Sequence, residues 1–577
     1  MLRRVVPSLL LVATAPILIG AEEPTALGLG DAELALFEDI PVVVSGSRRA
    51  DSLLRSPVPV SVVGRDEIRY GIGQTIGDYL IFVPGMDVVR VDRSREMIGV
   101  RGLHDIFSDR TLTLVDGIIA DNATYGGSEW NRLPLNTQDI ASIEVVRGPG
   151  GAAWGANAFN GVINVRTLTP EDTLGTRAGV TTSAFGDVNA QARWASFHGP
   201  LAWRMSFGYE DMVSSREALD DSAASDTDWR RSATADGALT WAWTSTTTLD
   251  VHLGYRDLDQ GEVVLLNLPA GSEVSKQTLR GDATLTQEID ERTRLILRGF
   301  GNVNQTDDAS QMHSEIIEQG GIAQVDLDRI GDHQLSFGGD LRWTHLTDHA
   351  QGGTDRFDLV QNPTTEYRGG LFLIDRWSLA ETLSLETQVR GDHYSGTGSD
   401  WSGRLAATQV LADDHSLRLA LARAHRTPLS ALRGLTTDTG FIAPGVPLVT
   451  YRSADLDNED TIALEAGWQA AAWDGGMLRC DAYYQIYNHL IGYDTSLTPT
   501  GFPGFNTLNI VPATLGDAQG YGTEIEVAQR HDHGRIAAWY AWNAFETDPS
   551  GTSVRAFEPA EHKCGVNSLW RLPADLT

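Results

Sequence analysis

Two cysteines in 577 residues, Cys480 and Cys564, make no disulfide framework, and with no CxxC or Cys/His spacing they rule out structural zinc. Positive charge is scarce. Against 77 Asp and Glu stand only 45 Lys and Arg, a net charge of -32, and such a surface repels a phosphate backbone, so no nucleic-acid partner is expected. Past the N-terminus no apolar run approaches the roughly 18 residues of a helical span, so any membrane crossing has to be made by strands. Catalytic signatures are also missing: no His-Glu-x-x-His, no Gly-x-Ser-x-Gly and no EF-hand spacing. Asp455, Asp457, Glu459 and Asp460 read as a solvated acidic loop, and His531-Asp532-His533 reads as a turn rather than a metal site. The expectation is a chain that is no enzyme and holds no cofactor and no resident metal.

What is present begins with export. Met1-Leu2-Arg3-Arg4 is a positive n-region, Val5 to Gly20 is apolar, and Ala21 precedes Glu22-Glu23, so residues 1–21 read as a cleavable signal peptide. An N-terminal anchor is the alternative, against which Pro7, Pro16 and the short length weigh. Residues 22–50 have no helical period and read as an arm, extended from Pro41 to Arg49. Residues 51–170 read as a small α/β unit, with strands near Val58 to Val63, Val88 to Val91, Met97 to Arg101, Thr111 to Val115 and Ile143 to Arg147. One helix is expected over Thr75 to Phe82, stopped by Pro84-Gly85.

Beyond residue 170 the pattern changes to alternation. Leu201, Trp203, Met205, Phe207 and Tyr209 are apolar while Ala202, Arg204, Ser206, Gly208 and Glu210 are small or polar, the period of two of a strand between lipid and a polar lumen. Similar runs recur near Leu249, Leu335, Ile462 and Leu478. A soluble sandwich also alternates, but the connections favour a membrane barrel. Tight turns at Gly199-Pro200, Ser245-Thr246, Asp290, Gly331-Asp332, Ala380-Glu381, Asp413-Asp414, Asp474-Gly475-Gly476 and Asp532-His533-Gly534 alternate with long polar loops over residues 211–231, 347–365, 434–457 and 488–520. Trp241, Trp243, Tyr483, Tyr484, Trp539 and Trp542 suit interfacial girdles.

A family resemblance enters with the 51–170 block. Gly99-Val100-Arg101-Gly102, Leu114-Val115-Asp116-Gly117, Ile143 to Gly150 (with Glu144, Arg147, Gly148 and Pro149) and Ala153 to Val165 (with Gly155, Asn157 and Gly161) together resemble the plug domain of TonB-dependent outer-membrane receptors. Echoes continue at Arg423 to Pro428, Leu464 to Gly467, Tyr521 to Glu526 and Pro559 to Lys563.

The resemblance implies an all-β transmembrane barrel of the 22-stranded type, residues 171–577, with the α/β plug inside its lumen. It also implies Arg101, Glu144 and Arg147 as plug charges that pair with one another or with the barrel wall, and a TonB box before the plug. The best candidate for that box is Ile40, Pro41, Val42, Val43, Val44 and Ser45; the alternative is that Val42 to Val44 form the first plug strand. Lying outside the compact plug motifs, residues 40–45 are expected to be removable without harm to plug or barrel. The implied function is active transport of a scarce ligand across the outer membrane of a Gram-negative-type bacterium. A ferric siderophore or other iron complex is favoured, and cobalamin or another nutrient is the alternative. TonB with its inner-membrane energising complex, outer-membrane lipid and the small-molecule ligand are the implied partners. A passive porin is the reading from another class, and would need no plug. Pairing strands across the tight turns gives about 18 strands against 22 for plugged transporters, so the barrel is expected to be truncated at its C-terminus, after a turn at Pro573-Ala574-Asp575.

Overall fold

The computed structural model describes residues 42–49, 51–71, 73–90, 92–93, 95–103, 108–124, 126–214, 228–262, 272–308, 312–350, 357–359, 364–412, 415–443, 446–500, 504–531, 533–547 and 560–570. The expected signal peptide, Ile40, Pro41, Asp413-Asp414, Asp532 and Pro573-Ala574-Asp575 lie outside them.

The N-terminal part is the expected α/β unit. Its elements are β1 (Val42–Val43), β2 (Asp51–Ser52), β3 (Val60–Val63), α1 (Arg65–Tyr70), α2 (Ile76–Leu80), β4 (Met86–Arg90), β5 (Glu96–Val100), β6 (Thr111–Val115), β7 (Ile118–Ile119), β8 (Ile140–Arg147), α3 (Gly151–Trp154) and β9 (Gly161–Thr167). Helix α2 starts where the sequence signals it. Thr75 Oγ1 accepts from Asp78 N at 3.3 Å and Asp78 Oδ2 accepts from Thr75 N at 3.0 Å, a reciprocal cap. Strands run in the order β3-β8-β9-β6-β7, with β6 and β9 parallel and the other pairs antiparallel. One face carries the core: Ile143 and Val145 of β8 and Ile163 and Val165 of β9 pack with Leu80, Ile98 and Val100. Helix α1 and strand β9 go beyond the elements read from sequence.

From Gly175 onward the described strands all join one sheet. Among the described residues it contains 21 strands from Gly175–Thr182 to His562–Trp570; eighteen long ones follow each other in sequence order, each antiparallel to the next. The tight turns fall between paired strand ends as read, for example His198↔Leu201, Ile330↔His333 and Trp473↔Gly476. Alternation sorts the faces. Met205, Phe207 and Tyr209 are 51%, 58% and 46% exposed on the lipid side, while the alternate residues Arg204, which donates to the plug carbonyl of Leu168, and Ser206 are buried.

Three expectations need correction. Of the six aromatics assigned to girdles, Tyr483 and Trp539 are buried inside the barrel. Neighbours on a strand point to opposite faces, so Tyr484 outside places Tyr483 inside. The stretches 434–457 and 488–520 are not irregular loops. Leu435–Ala443 and Val446–Tyr451 are strands, and the hairpin of Gly476–Pro499 with Asn506–His531 continues as a ladder to Pro499↔Asn506. Tyr451 and its two predecessors join it in parallel, Val449 opposite Leu508. Thr, Ile and Val are frequent in these segments, and cross-strand pairing satisfies backbone groups that a polar composition had suggested were looped. Finally, Glu459 is fully buried and ion-paired rather than part of a solvated cluster.

Candidate functional site: the plug–wall seam and the arm

Plug and wall meet through charge. Arg101, at the end of β5, and Arg147, at the end of β8, project into an alternating string with wall residues. Arg404 pairs with Glu465 (2.7 Å), Glu465 with Arg101 (2.7 Å), Arg101 with Glu524 (3.0 Å), Glu524 with Arg147 (2.5 Å), and Arg147 with Asp481 (3.1 Å). Asp481 then meets Arg418. The Arg101 guanidinium also lies 4.0 Å from the centroid of the Tyr483 ring, which explains that ring's inward place. All seven charged side chains are at most 9% exposed.

Backbone shape permits this closeness. Gly148 has φ of +95°, and a Cβ there would stand 2.1 Å from Glu465 Oε1, so the turn after β8 brings bare backbone against the wall carboxylate. Pro149 offers its carbonyl to Arg404 at 3.2 Å.

A second seam lies where the chain leaves the strand His415–Arg426. Arg110 pairs with Glu459 at 2.7 Å, Glu459 with Arg426 at 2.7 Å, and Arg426 reaches back to Asp109, so plug and wall each supply one charge of each sign. Asn157 Oδ1 accepts from Thr427 N at 3.1 Å beside it. The short helix α4 (Ser430–Gly434) then touches the plug, Ala431 N donating to Thr124 O at 3.0 Å. On another side Glu129 receives Lys276 at 2.9 Å and Arg132 at 3.0 Å. Burial alone would raise its carboxyl, but the two cations outweigh burial and hold it well below the usual range. Near the same plug loop, burial pushes the Asp121 carboxyl up to about 7, against the opposing bond from Thr113 N.

Wall arginines also bind plug backbone. Arg280 Nη2 donates to the carbonyls of Val115 (3.2 Å) and Ile118 (3.1 Å), and Arg298 donates to the Asp116 carbonyl. Asp116 and Gly117 form the two-residue turn between β6 and β7, with φ of +51° and +79°, and Asp116 also ties down Thr167 N at 2.9 Å. Gly102 accepts from Asn160 Nδ2 at 2.8 Å, Gly155 faces Arg390, and Gly161 begins β9 tightly against Val100. Glu144 has a different role from Arg101 and Arg147. Besides a 3.5 Å approach from Arg166, its carboxylate binds Val44 and Ser45 of the arm and, among the described residues, no wall residue.

For the described residues 42–45, that contact corrects the expectation that the segment can be removed without harm to the plug. Val42 and Val43 pair with Ser52 and Asp51, and Ser45 is buried on the plug sheet, because its polar atoms find a complete set of partners there. Removing the whole segment would strip Glu144 of the bonds it accepts from the arm. Of the wall residues in the seams, Arg426, Glu465 and Glu524 stand inside stretches singled out by resemblance, Arg423 to Pro428, Leu464 to Gly467 and Tyr521 to Glu526. The inward phase of their strands was the signal available for them; Asp481 and Arg404 had no other.

The chain matches the family model for the plug domain of TonB-dependent receptors over residues 52–162, and that for the β-barrel of TonB-dependent receptors over residues 173–558. It is 24% identical over 518 residues to the iron-regulated outer membrane virulence protein of Vibrio cholerae, covering 85% of this chain and 76% of that protein. It is 30% identical over 175 residues to a vitamin B12 transporter of Vibrio vulnificus, 30% of this chain and 28% of that one. The crystal structure of a siderophore receptor from Pseudomonas aeruginosa superposes with a TM-score of 0.66 at 17% identity, over 88% of this chain and 87% of that one.

Proposed function

Because the chain belongs to the TonB-dependent receptor family, we propose that it is an outer-membrane active transporter whose cargo is a ferric siderophore or other iron complex. The observation that carries the transport reading is the seam. A plug fixed for good would be expected to bury apolar surface against its wall. Here the contact is a set of buried ion pairs, and pairs of this kind give register with little net stability relative to apolar packing. A removable plug needs such a contact, and a passive pore needs no plug at all.

In this reading the cargo binds above the plug, residues 40–45 are taken up as an added strand by TonB in the periplasm, and the inner-membrane proton gradient supplies the pull. Strand addition uses backbone bonds for affinity and alternate side chains for specificity, which suits the Val42-Val43-Val44 run; Pro41 removes one donor next to it. The iron complex is favoured by the names of the V. cholerae and P. aeruginosa relatives, and the B12 transporter keeps cobalamin as the second reading. Uptake separates them. In an iron-starved host lacking its own receptors of this family, cells carrying this chain should accumulate iron-55 from at least one of a panel of ferric catecholates and hydroxamates, and no cobalt-57 cyanocobalamin. The reverse pattern would replace iron with cobalamin, and uptake of neither would refute both readings. Exchanging residues 40–43 for Gly and Ser, which spares the Ser45 contacts, should abolish uptake and leave surface binding intact.

A further inference from the structure

The arm's last residues are held by a built socket. Glu144 of β8 and Asn164 of β9 are cross-strand partners. Since Ile143, Val145, Ile163 and Val165 take the core face, this polar pair shares the opposite one. One carboxylate oxygen, Glu144 Oε2, accepts from Val44 N at 3.0 Å, Ser45 N at 2.9 Å and Ser45 Oγ at 2.5 Å. Asn164 Nδ2 donates to Ser45 Oγ at 3.1 Å, and Trp154 Nε1 donates to the Ser45 carbonyl at 2.7 Å. Every polar atom of Ser45 is engaged, and both Glu144 and Ser45 are at most 1% exposed.

The next residues are held by both plug and wall: Arg48 Nε donates to the Ala153 carbonyl of the plug at 2.5 Å, and Arg49 donates to the Leu335 carbonyl of the wall at 3.1 Å. Gln388 Nε2 donates to the Gly46 carbonyl at 3.2 Å, and the Arg48 guanidinium lies between the rings of Trp154 (4.6 Å) and wall residue Phe372 (4.4 Å). Tethered to the plug at Ser45 and to plug and wall together from Gly46 to Arg49, the chain cannot offer the N–H groups of Val44 and Ser45 to another sheet while Glu144 holds them. A strand-adding partner needs those same backbone groups.

We propose that Glu144 and Asn164 form a latch that keeps the partner-binding segment docked on the plug, with Glu144 the positioning residue that sets how often the segment is free. The functional meaning rests on residues 40–45 being that segment; the latch itself concerns accessibility alone.

The test is thiol labelling of the purified full-length receptor in detergent, without cargo or partner. Cys480 and Cys564 are replaced by Ser, and Val43→Cys reports the arm while Leu80→Cys, in the plug core, reports global loosening. Glu144→Gln and, separately, Ser45→Ala should each speed maleimide labelling at position 43 by roughly tenfold, the factor for losing one charge-assisted hydrogen bond, with position 80 unchanged. Unchanged labelling at position 43 in both variants overturns the latch. So does a parallel rise at position 80, which would make Glu144 a scaffold residue. If position 43 alone responds, yet exchanging residues 40–43 leaves uptake unimpaired, the latch stands and the partner-segment reading falls.

Discussion

Glu524 is the carboxylate on which both plug arginines converge, and its neutralisation measures what the seam contributes. Its two oxygens take Arg101 at 3.0 and 3.1 Å and Arg147 at 2.5 Å, in a site where the charged side chains are 1–2% exposed. In Glu524→Gln the four arginines of the string keep only Glu465 and Asp481. Breaking one side of a buried pair costs about 3–5 kcal/mol, and because Gln retains one carbonyl acceptor the lower end, about 3 kcal/mol, applies. At about 1.4 kcal/mol per decade, the fraction of receptors with a displaced plug should rise roughly a hundredfold. The assay is ionic current through receptors reconstituted in planar bilayers, where a displaced plug opens the lumen. Adding Arg147→Met to Glu524→Gln removes the stranded cation and should recover much of the loss, a coupling that a double-mutant cycle reads directly. If Glu524→Gln conducts no more than the parent, or the double variant is as leaky as the single one, the seam does not hold the plug by charge.

Two further outcomes follow from the plug. Asp121 is mainly desolvated, with Glu318 and Asp109 adding to the effect and the Thr113 bond and Arg342 opposing it, so its carboxyl is pushed up from the ordinary 3.8 to about 7. The folded state then binds the proton more tightly than the unfolded one. Stability from this group is full below about pH 4, falls as pH rises to about 7 and is constant beyond it. Asp121→Asn, which keeps an acceptor for Thr113 N, should therefore raise the urea midpoint of the plug little at pH 4 and by the equivalent of about 2–4 kcal/mol at pH 8; a gain independent of pH would contradict the assignment. Gly148→Ala should destabilise the plug by more than about 2 kcal/mol, since it adds a clash with Glu465 to the cost of a positive φ. Gly175→Ala shares a φ of +97° but has nothing within 4 Å of its Cβ, so it isolates the backbone part, and equal losses in the two variants would remove the close approach from the argument.

Much of the fold was legible because its determinants are local. The run from Leu201 to Glu210 assigns lipid and lumen faces by parity alone, and Gly199-Pro200 closes the hairpin that follows from it. Thr75 and Asp78 mark a helix start by their spacing. The seam is the opposite case. Arg101 and Glu524 are 423 residues apart in sequence, and a single sequence carries no signal that links them. Resemblance pointed to Arg101 and Arg147, but Glu144 was grouped with them, although its place on β8 turns it to the arm side. Parity alone separates Tyr483 from Tyr484, since adjacent residues of one strand face lumen and lipid in turn. The long outer hairpin is hidden for another reason: its Thr, Ile and Val favour a ladder, but the Gly, Pro and Asn among them read as loop until a neighbouring strand is supplied.

The central claim is that the plugged barrel moves its cargo only when energy is delivered from the inner membrane. The most direct measurement is accumulation of an iron-55 complex by cells carrying this chain, before and after a protonophore collapses the proton gradient, with surface-bound label counted separately. The account predicts that binding persists while accumulation stops. Accumulation that continues at an undiminished rate in de-energised cells would contradict it.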